Sequence, residues 1–165
     1  MNYKYLFLIL VSFSSTIFLS CNNDNNDMKK NNYIISKKCP IKGVPKKIVS
    51  VSPAITEIIF DLDCGDRLIG RTDFCTYPKE VKNIKSIGGI NNSNLEMIIS
   101  MRPDLVITSS IFTKKMFQTI EAAGIPIMSF KERNTIDGMY DIIKMLGDIL
   151  DKKDKANEII NNSKQ

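Results

Sequence analysis

The chain has 165 residues, 43% hydrophobic and 25% charged, enough to bury one ordinary domain core and too apolar for a disordered chain. The formal charge of +5 comes from lysines spread along the chain, with no basic stripe interleaved with aromatics, which argues against a nucleic-acid partner. There is no His and no Trp, which sets aside His-based acid–base catalysis and most zinc sites and leaves Tyr and Phe as the aromatic contacts.

Residues 1–20 read as a leader. Lys4 supplies a small positive start, residues 5–19 are a nearly unbroken apolar run, and Phe18-Leu19-Ser20-Cys21 follows. The run is shorter than the ~20 residues that a spanning helix needs. A small residue before the cut and Cys21 after it is the bacterial lipoprotein arrangement, in which the thiol takes a diacylglycerol group. An ordinary secretory leader with Cys21 as the first mature residue is the plain alternative. Either way the sequence predicts an extracytoplasmic protein of the cell envelope, anchored through lipid on the first reading. Residues 21–45 are assigned to the lipidated Cys and a flexible tether. The stretch 22–32 is almost free of apolar residues, and residues 33–36 leave room for a short strand.

The folded lobe is expected over residues 46–134. Ile48, Val49 and Val51 form a β-branched strand candidate. Ser52-Pro53 then starts a helix, as N-cap and first helical residue. Ala54, Ile55, Ile58, Ile59 and Leu62 recur at helical spacing until Cys64-Gly65. Leu68-Ile69-Gly70 reads as a second strand, residues 71–78 as a loop, and Pro78 as the start of a short helical or turn segment. Ser86-Ile87 reads as a third strand before the Gly88-Gly89 loop. Ser93-Asn94-Leu95-Glu96 reads as a capping box, with Ser93 as N-cap and Glu96 at the third helical position. Strands follow at 105–108 and 126–128, with a helix at 113–123 between them. Residues 135–150 and 152–162 are helical by pattern. Strands apolar on both faces, alternating with helices, predict an α/β fold with a mostly parallel sheet flanked by helices. Ligands gather at the loops leaving the carboxyl ends of such strands.

Besides Cys21 there are three thiols, Cys39, Cys64 and Cys75. Cys64 and Cys75 flank one predicted strand and are the pairing the sequence favours, with buried unpaired thiols as the alternative. Asp73 and Glu57 are carboxylates without a nucleophile or base partner, so no enzyme is expected.

Val49-Ser50-Val51-Ser52-Pro53-Ala54-Ile55-Thr56-Glu57 is followed by Arg67-Leu68-Ile69-Gly70-Arg71-Thr72-Asp73-Phe74-Cys75-Thr76-Tyr77-Pro78. Gly88-Gly89, Asn94-Leu95-Glu96 and Arg102-Pro103-Asp104-Leu105-Val106-Ile107 come next. In this order and spacing, the motifs resemble the cobalamin, haem and iron-siderophore binding proteins of ABC importers. The resemblance covers roughly residues 46–162. It implies one Rossmann-like lobe of a two-lobe binding protein, with residues 135–165 as the start of a long inter-lobe backbone helix. It also implies that the carboxyl-terminal lobe is missing, because the chain stops at Gln165.

The implied function is capture of a corrinoid, haem or ferric siderophore and delivery to a membrane permease and its ATPase, with no cofactor of the protein's own. The alternative is a surface lipoprotein with an interaction role and no transport. By resemblance, Pro53 and Ala54 approach the ligand, Phe74 stacks on a flat macrocycle with Tyr77 nearby, and Ile90 stands where some relatives carry Trp. Glu96 would dock onto a basic residue of the permease. For Pro53, helix initiation is a sufficient structural role; for Tyr77, a packed ring is; for Glu96, the helix cap is. Arg71 and Arg133 could meet an anionic group of a ligand, or simply be solvated.

Overall fold

The computed structural model describes residues 33–131 and 135–164. The leader, Cys21, the stretch 22–32 and Arg133 lie outside the described residues.

Five strands form one sheet in the order β1-β5-β4-β2-β3. β2 (Ile48–Ser50), β3 (Leu68–Arg71), β4 (Leu105–Ser109) and β5 (Ile127–Phe130) run parallel, and β1 (Tyr33–Ile35) closes one edge antiparallel to β5. The α-helices among the described residues are α1 (Pro53–Asp61), α2 (Leu95–Ser100), α3 (Lys114–Ala122), α4 (Ile136–Ile149) and α5 (Lys153–Asn162). Every residue of β2 and β4 is buried, because helices cover both faces of the sheet.

Side chains alternate between two cores, as the pleat requires. Ile48, Leu105, Ile107, Met128 and Phe130 face one core with Ile55 and Ile59 of α1, Leu146 of α4 and Ile160 of α5. Val49, Val106 and Ile127 face the other core with Ile98 of α2 and Met116 and Ile120 of α3. Each fully buried Ile or Leu contributes about 1.5–3 kcal/mol of transfer free energy, so neither face is dispensable.

The structure corrects the sequence reading at four places. Residues 33–45 are part of the lobe and not of a tether. Tyr33 pairs with Phe130, the Ser36 N–H donates to Ile127 O at 2.9 Å, and Ser36 Oγ donates to Glu121 Oε1 at 2.7 Å. Ser86-Ile87 makes only a single bridge, Arg71 to Ser86; Gly88, at φ +90°, then turns the chain in a conformation that side chains disfavour.

The cap of α2 is Asn94, whose side chain accepts from the Met97 N–H at 2.9 Å. Ser93 turns away instead and donates to Gly89 O at 2.6 Å, which moves Glu96 to the second helical position. Finally, α4 and α5 are two helices, as the pattern of 135–150 and 152–162 predicts, and not the one continuous backbone helix that the resemblance implied over 135–165. α4 ends at Leu150, Asp151 adopts φ +58°, and the Lys152 N–H closes onto Gly147 O at 2.7 Å before α5 begins. A side chain on Gly147 would start 2.6 Å from the Ala156 methyl, so its absence lets α5 fold closely onto α4. α4 therefore belongs to the lobe and helps cover its first core.

Candidate ligand-binding site

The sheet order places α1 and α4 on one face and α2 and α3 on the other. The connections after β2 and β4 leave for opposite faces although these strands are neighbours. A crevice opens outside the carboxyl ends at such a reversal, and it is the ordinary binding place of a doubly wound sheet.

The floor of that end is a cluster of buried hydroxyls. Ser50, Ser52, Thr56, Thr72, Thr108 and Ser109 are all buried. Thr56 Oγ1 lies 2.8 Å from Ser50 Oγ and 2.9 Å from Ser52 O. The same oxygen lies 3.2 Å from Cys75 Sγ, which is 3.3 Å from Thr72 Oγ1. These contacts tie the first turn of α1 to the loop after β3. They also decide between the two readings of Cys64 and Cys75 in favour of buried, unpaired thiols. Cys39, Cys64 and Cys75 are all free thiols. Cys64 sits in the first core, 3.4 Å from Leu62 O, where burial pushes its thiol above the ordinary value and Arg67 only partly offsets this. Cys75 is held in the hydroxyl cluster instead. The cluster was missed from sequence, where the only signal is hydroxyl residues at the ends of otherwise apolar strands.

Above this floor the loops carry apolar side chains into solvent. Five of the seven exposed large hydrophobic residues are Phe74, Tyr77, Ile111, Ile136 and Met139, all on segments that leave the carboxyl ends of β3, β4 and β5. Phe74 is 60% exposed and Tyr77 64%, too open to be core residues. The Asp73 N–H donates to Gly88 O at 2.9 Å, and Asp73 also accepts from the Ser86 hydroxyl. A side chain on Gly89 would begin 3.6 Å from Phe74 Cε2, so the Phe74 ring stands beside the Gly88-Gly89 loop. Ile90, in that loop, is half-buried against the second core rather than presented like Phe74.

Pro53 is half-buried and Ala54 exposed at the start of α1. Ala54 and Ser52 share a hollow of about 440 Å³ with Ser109, Phe130 and Met139, and the hollow continues between α1 and α4 toward α5. Ile111, Ser109, Ile136 and Met139 had not been singled out from sequence, although the loop after β4 had been marked as a ligand-facing segment. Glu96, exposed on α2, makes no hydrogen bond or ion pair with any described residue.

Arg71, at the end of β3, donates from Nη1 to Thr72 O at 3.0 Å, and its buried Nε has no partner among the described residues. Among those residues no three His, Cys, Asp or Glu stand together to hold a metal ion. No described helix is long and apolar enough to cross a membrane. The arrangement offers apolar contact, one guanidinium and no paired acid and base.

Comparison with known proteins agrees with this geometry. The chain is 35% identical over 127 residues to the uncharacterized ABC transporter substrate-binding lipoprotein YvrC of Bacillus subtilis, an alignment covering 75% of this chain and 40% of that protein. It is 31% identical over 111 residues to a vitamin B12-binding protein of Vibrio campbellii, covering 67% of this chain and 40% of the relative. The fold matches the apo structure of the periplasmic heme-binding protein RhuT from Roseiflexus sp. RS-1 with a TM-score of 0.66 and 28% identity, over 70% of this chain and 45% of that one. The chain thus spans less than half the length of each of these relatives. Residues 48–165 match the family described as Periplasmic binding protein, a family of transport binding proteins and not of enzymes. The α/β lobe, the carboxyl-end crevice and these matches agree: the chain belongs to the periplasmic binding protein family.

Proposed function

We propose that this chain is the amino-terminal lobe of a lipid-anchored ABC importer binding protein whose cargo is a metal chelate: a corrinoid, haem or ferric siderophore. The observation that carries the reading is the pair of exposed rings, Phe74 and Tyr77, on one loop beside the crevice of a doubly wound sheet. A macrocycle face is a large apolar plate, and aromatic rings cover such a plate while giving up few rotamers. Pro53, Ala54 and Ile90 supply small apolar contacts at the adjoining loops. The Arg71 guanidinium would pair with an anionic substituent of the chelate, such as a carboxylate. The vitamin B12-binding and heme-binding names of the relatives support this class of cargo.

In this reading the metal arrives with its chelator. Glu96 is the docking acid for a permease cation, since it projects unpaired from α2; such a contact sets register and on-rate more than affinity. Cys21 carries the lipid that holds the protein on the extracytoplasmic face. The connection to a second lobe leaves after α5, because α4 and α5 both pack on the first core of this lobe.

The test is a titration of the chain from Cys21 onward with cyanocobalamin, haem and a ferric hydroxamate, followed by calorimetry and Tyr fluorescence. A start at residue 46 would delete β1 and must be avoided. Saturable one-to-one binding of one compound supports the reading and names the cargo. Failure of all three while the lobe remains folded overturns it as a property of this lobe and favours an interaction role at the cell surface.

A further inference from the structure

We propose that the end of the lobe opposite the crevice is a contact surface for anionic lipid headgroups. The segment from Lys37 to Lys47 carries five lysines, Lys37, Lys38, Lys42, Lys46 and Lys47, and residues 33–47 contain no acid. All five are exposed. The fold gathers them at one end of the sheet. Lys46 and Lys47 stand immediately before β2. Lys38 and Lys42 line a shallow hollow of about 370 Å³ with Pro103 and Asp104, which precede β4, and Gly124 and Pro126, which precede β5. The lysines thus surround the amino ends of the strands, while Phe74 and Tyr77 mark the carboxyl end of β3.

Asp63 and Asp66 precede β3 at this end, Asp63 lying 3.9 Å from Lys155, and the two acids nearest the five lysines are both engaged. Asp104 Oδ2 accepts the backbone N–H groups of Lys46 and Lys47, each at 2.9 Å. Glu121 accepts from Ser36 and lies 4.0 Å from Lys38, with its side chain only 14% exposed. Lys37, Lys42, Lys46 and Lys47 make no ion pair with any described residue. The segment is also fixed in place. β1 leads into it, and Cys39 Sγ donates to Glu121 O at 3.3 Å. The result is a set of exposed cations on an ordered scaffold with little countercharge, the arrangement that an anionic leaflet attracts.

The contact does not require a lipid on Cys21. Seated on its lysine-bearing end, the lobe holds its crevice away from the bilayer and open to ligand.

The test measures binding of the full chain to phosphatidylcholine vesicles and to vesicles with one third phosphatidylglycerol. Two variants accompany it. One replaces all five base lysines with Gln. The other replaces Lys79, Lys82, Lys85, Lys114 and Lys115, an equal change of charge on segments leaving the carboxyl ends. Any insertion of the apolar leader is common to all three proteins and cancels in the comparison.

Each lysine at an anionic surface contributes roughly fivefold, so the wild-type chain is expected to prefer the anionic vesicles by about tenfold or more. Salt at about 1 M, where the Debye length is ~3 Å, should erase the preference. The base variant should lose it with unchanged circular dichroism, and the control variant should keep it. An equal loss in the control variant would reduce the effect to net charge and overturn the proposal. So would equal binding to both vesicle types, or a saturable response to inorganic phosphate alone, which would mark a discrete anion site.

Discussion

The two ends of this sheet share the same two cores and are finished in opposite ways. At the carboxyl ends the connections put rings and aliphatic side chains into water and hold them over buried hydroxyls. At the amino ends they put lysines into water around a hollow edged by Pro103 and Pro126. The difference shows that the strands set a common frame while each set of loops is free to take its own chemistry. That freedom exists because loop side chains contribute little to the buried apolar area that stabilises the lobe.

The comparison breaks most completely where the frame is shared. Leu146 is fully buried in the first core, and Leu146→Ala should cost about 2–5 kcal/mol. Chemical denaturation should show both ends lost in one transition, because neither has a core of its own. Next, Phe74→Ala should weaken binding of whichever chelate the titration identifies by about tenfold, the scale of one lost aromatic contact of ~1.4 kcal/mol. Stability should move by less than about 0.5 kcal/mol because the ring is exposed. Preference for anionic vesicles should not change at all, and a change there would mean that the two ends are coupled. The smallest effect separates the two candidate caps of α2. Asn94→Ala should cost ~1 kcal/mol in a melting or denaturant series as a lost N-cap. Ser93→Ala should instead loosen the turn after Gly89, leaving the helix with its cap.

Much of the frame was legible along the chain. Two-sided burial of β2 and β4, the Ser52-Pro53 helix start, and the stops at Cys64-Gly65 and Gly124 are local, and the residues announce them. The failures have a common physical cause. A short strand at residues 33–36 was legible, but its place at the sheet edge depends on pairing with β5, nearly one hundred residues away, so no local pattern shows that it belongs to the lobe. Ser93 and Asn94 are equally able to cap a helix; the carbonyl of Gly89 takes the Ser93 hydroxyl and leaves the cap to Asn94. Cys64 and Cys75 flank one strand in sequence, yet one thiol enters the first core and the other meets Thr56 and Thr72. The break between α4 and α5 was legible in the pattern, but the left-handed Asp151 and the seating of Ala156 on Gly147, which fold α5 back onto α4, were not.

The site divides in the same way. Phe74, Tyr77, Pro53 and Ala54 are proposed from motifs, and they lie on segments at the carboxyl end of the sheet. Ser109, Ile136 and Met139 have no motif and gain significance only by standing at that end.

By itself the sequence determined the alternation of strands and helices, the two-sided burial of the central strands and the family to which the chain is similar. Each of these depends on neighbours within a turn or a strand, where period and propensity act. Only the tertiary structure decided the strand order, the partners of the thiols, the hydroxyl floor and the gathering of the lysines opposite the rings. Those outcomes depend on which distant segments meet. The burial of shared apolar area selects those meetings, and no short stretch of sequence encodes it alone.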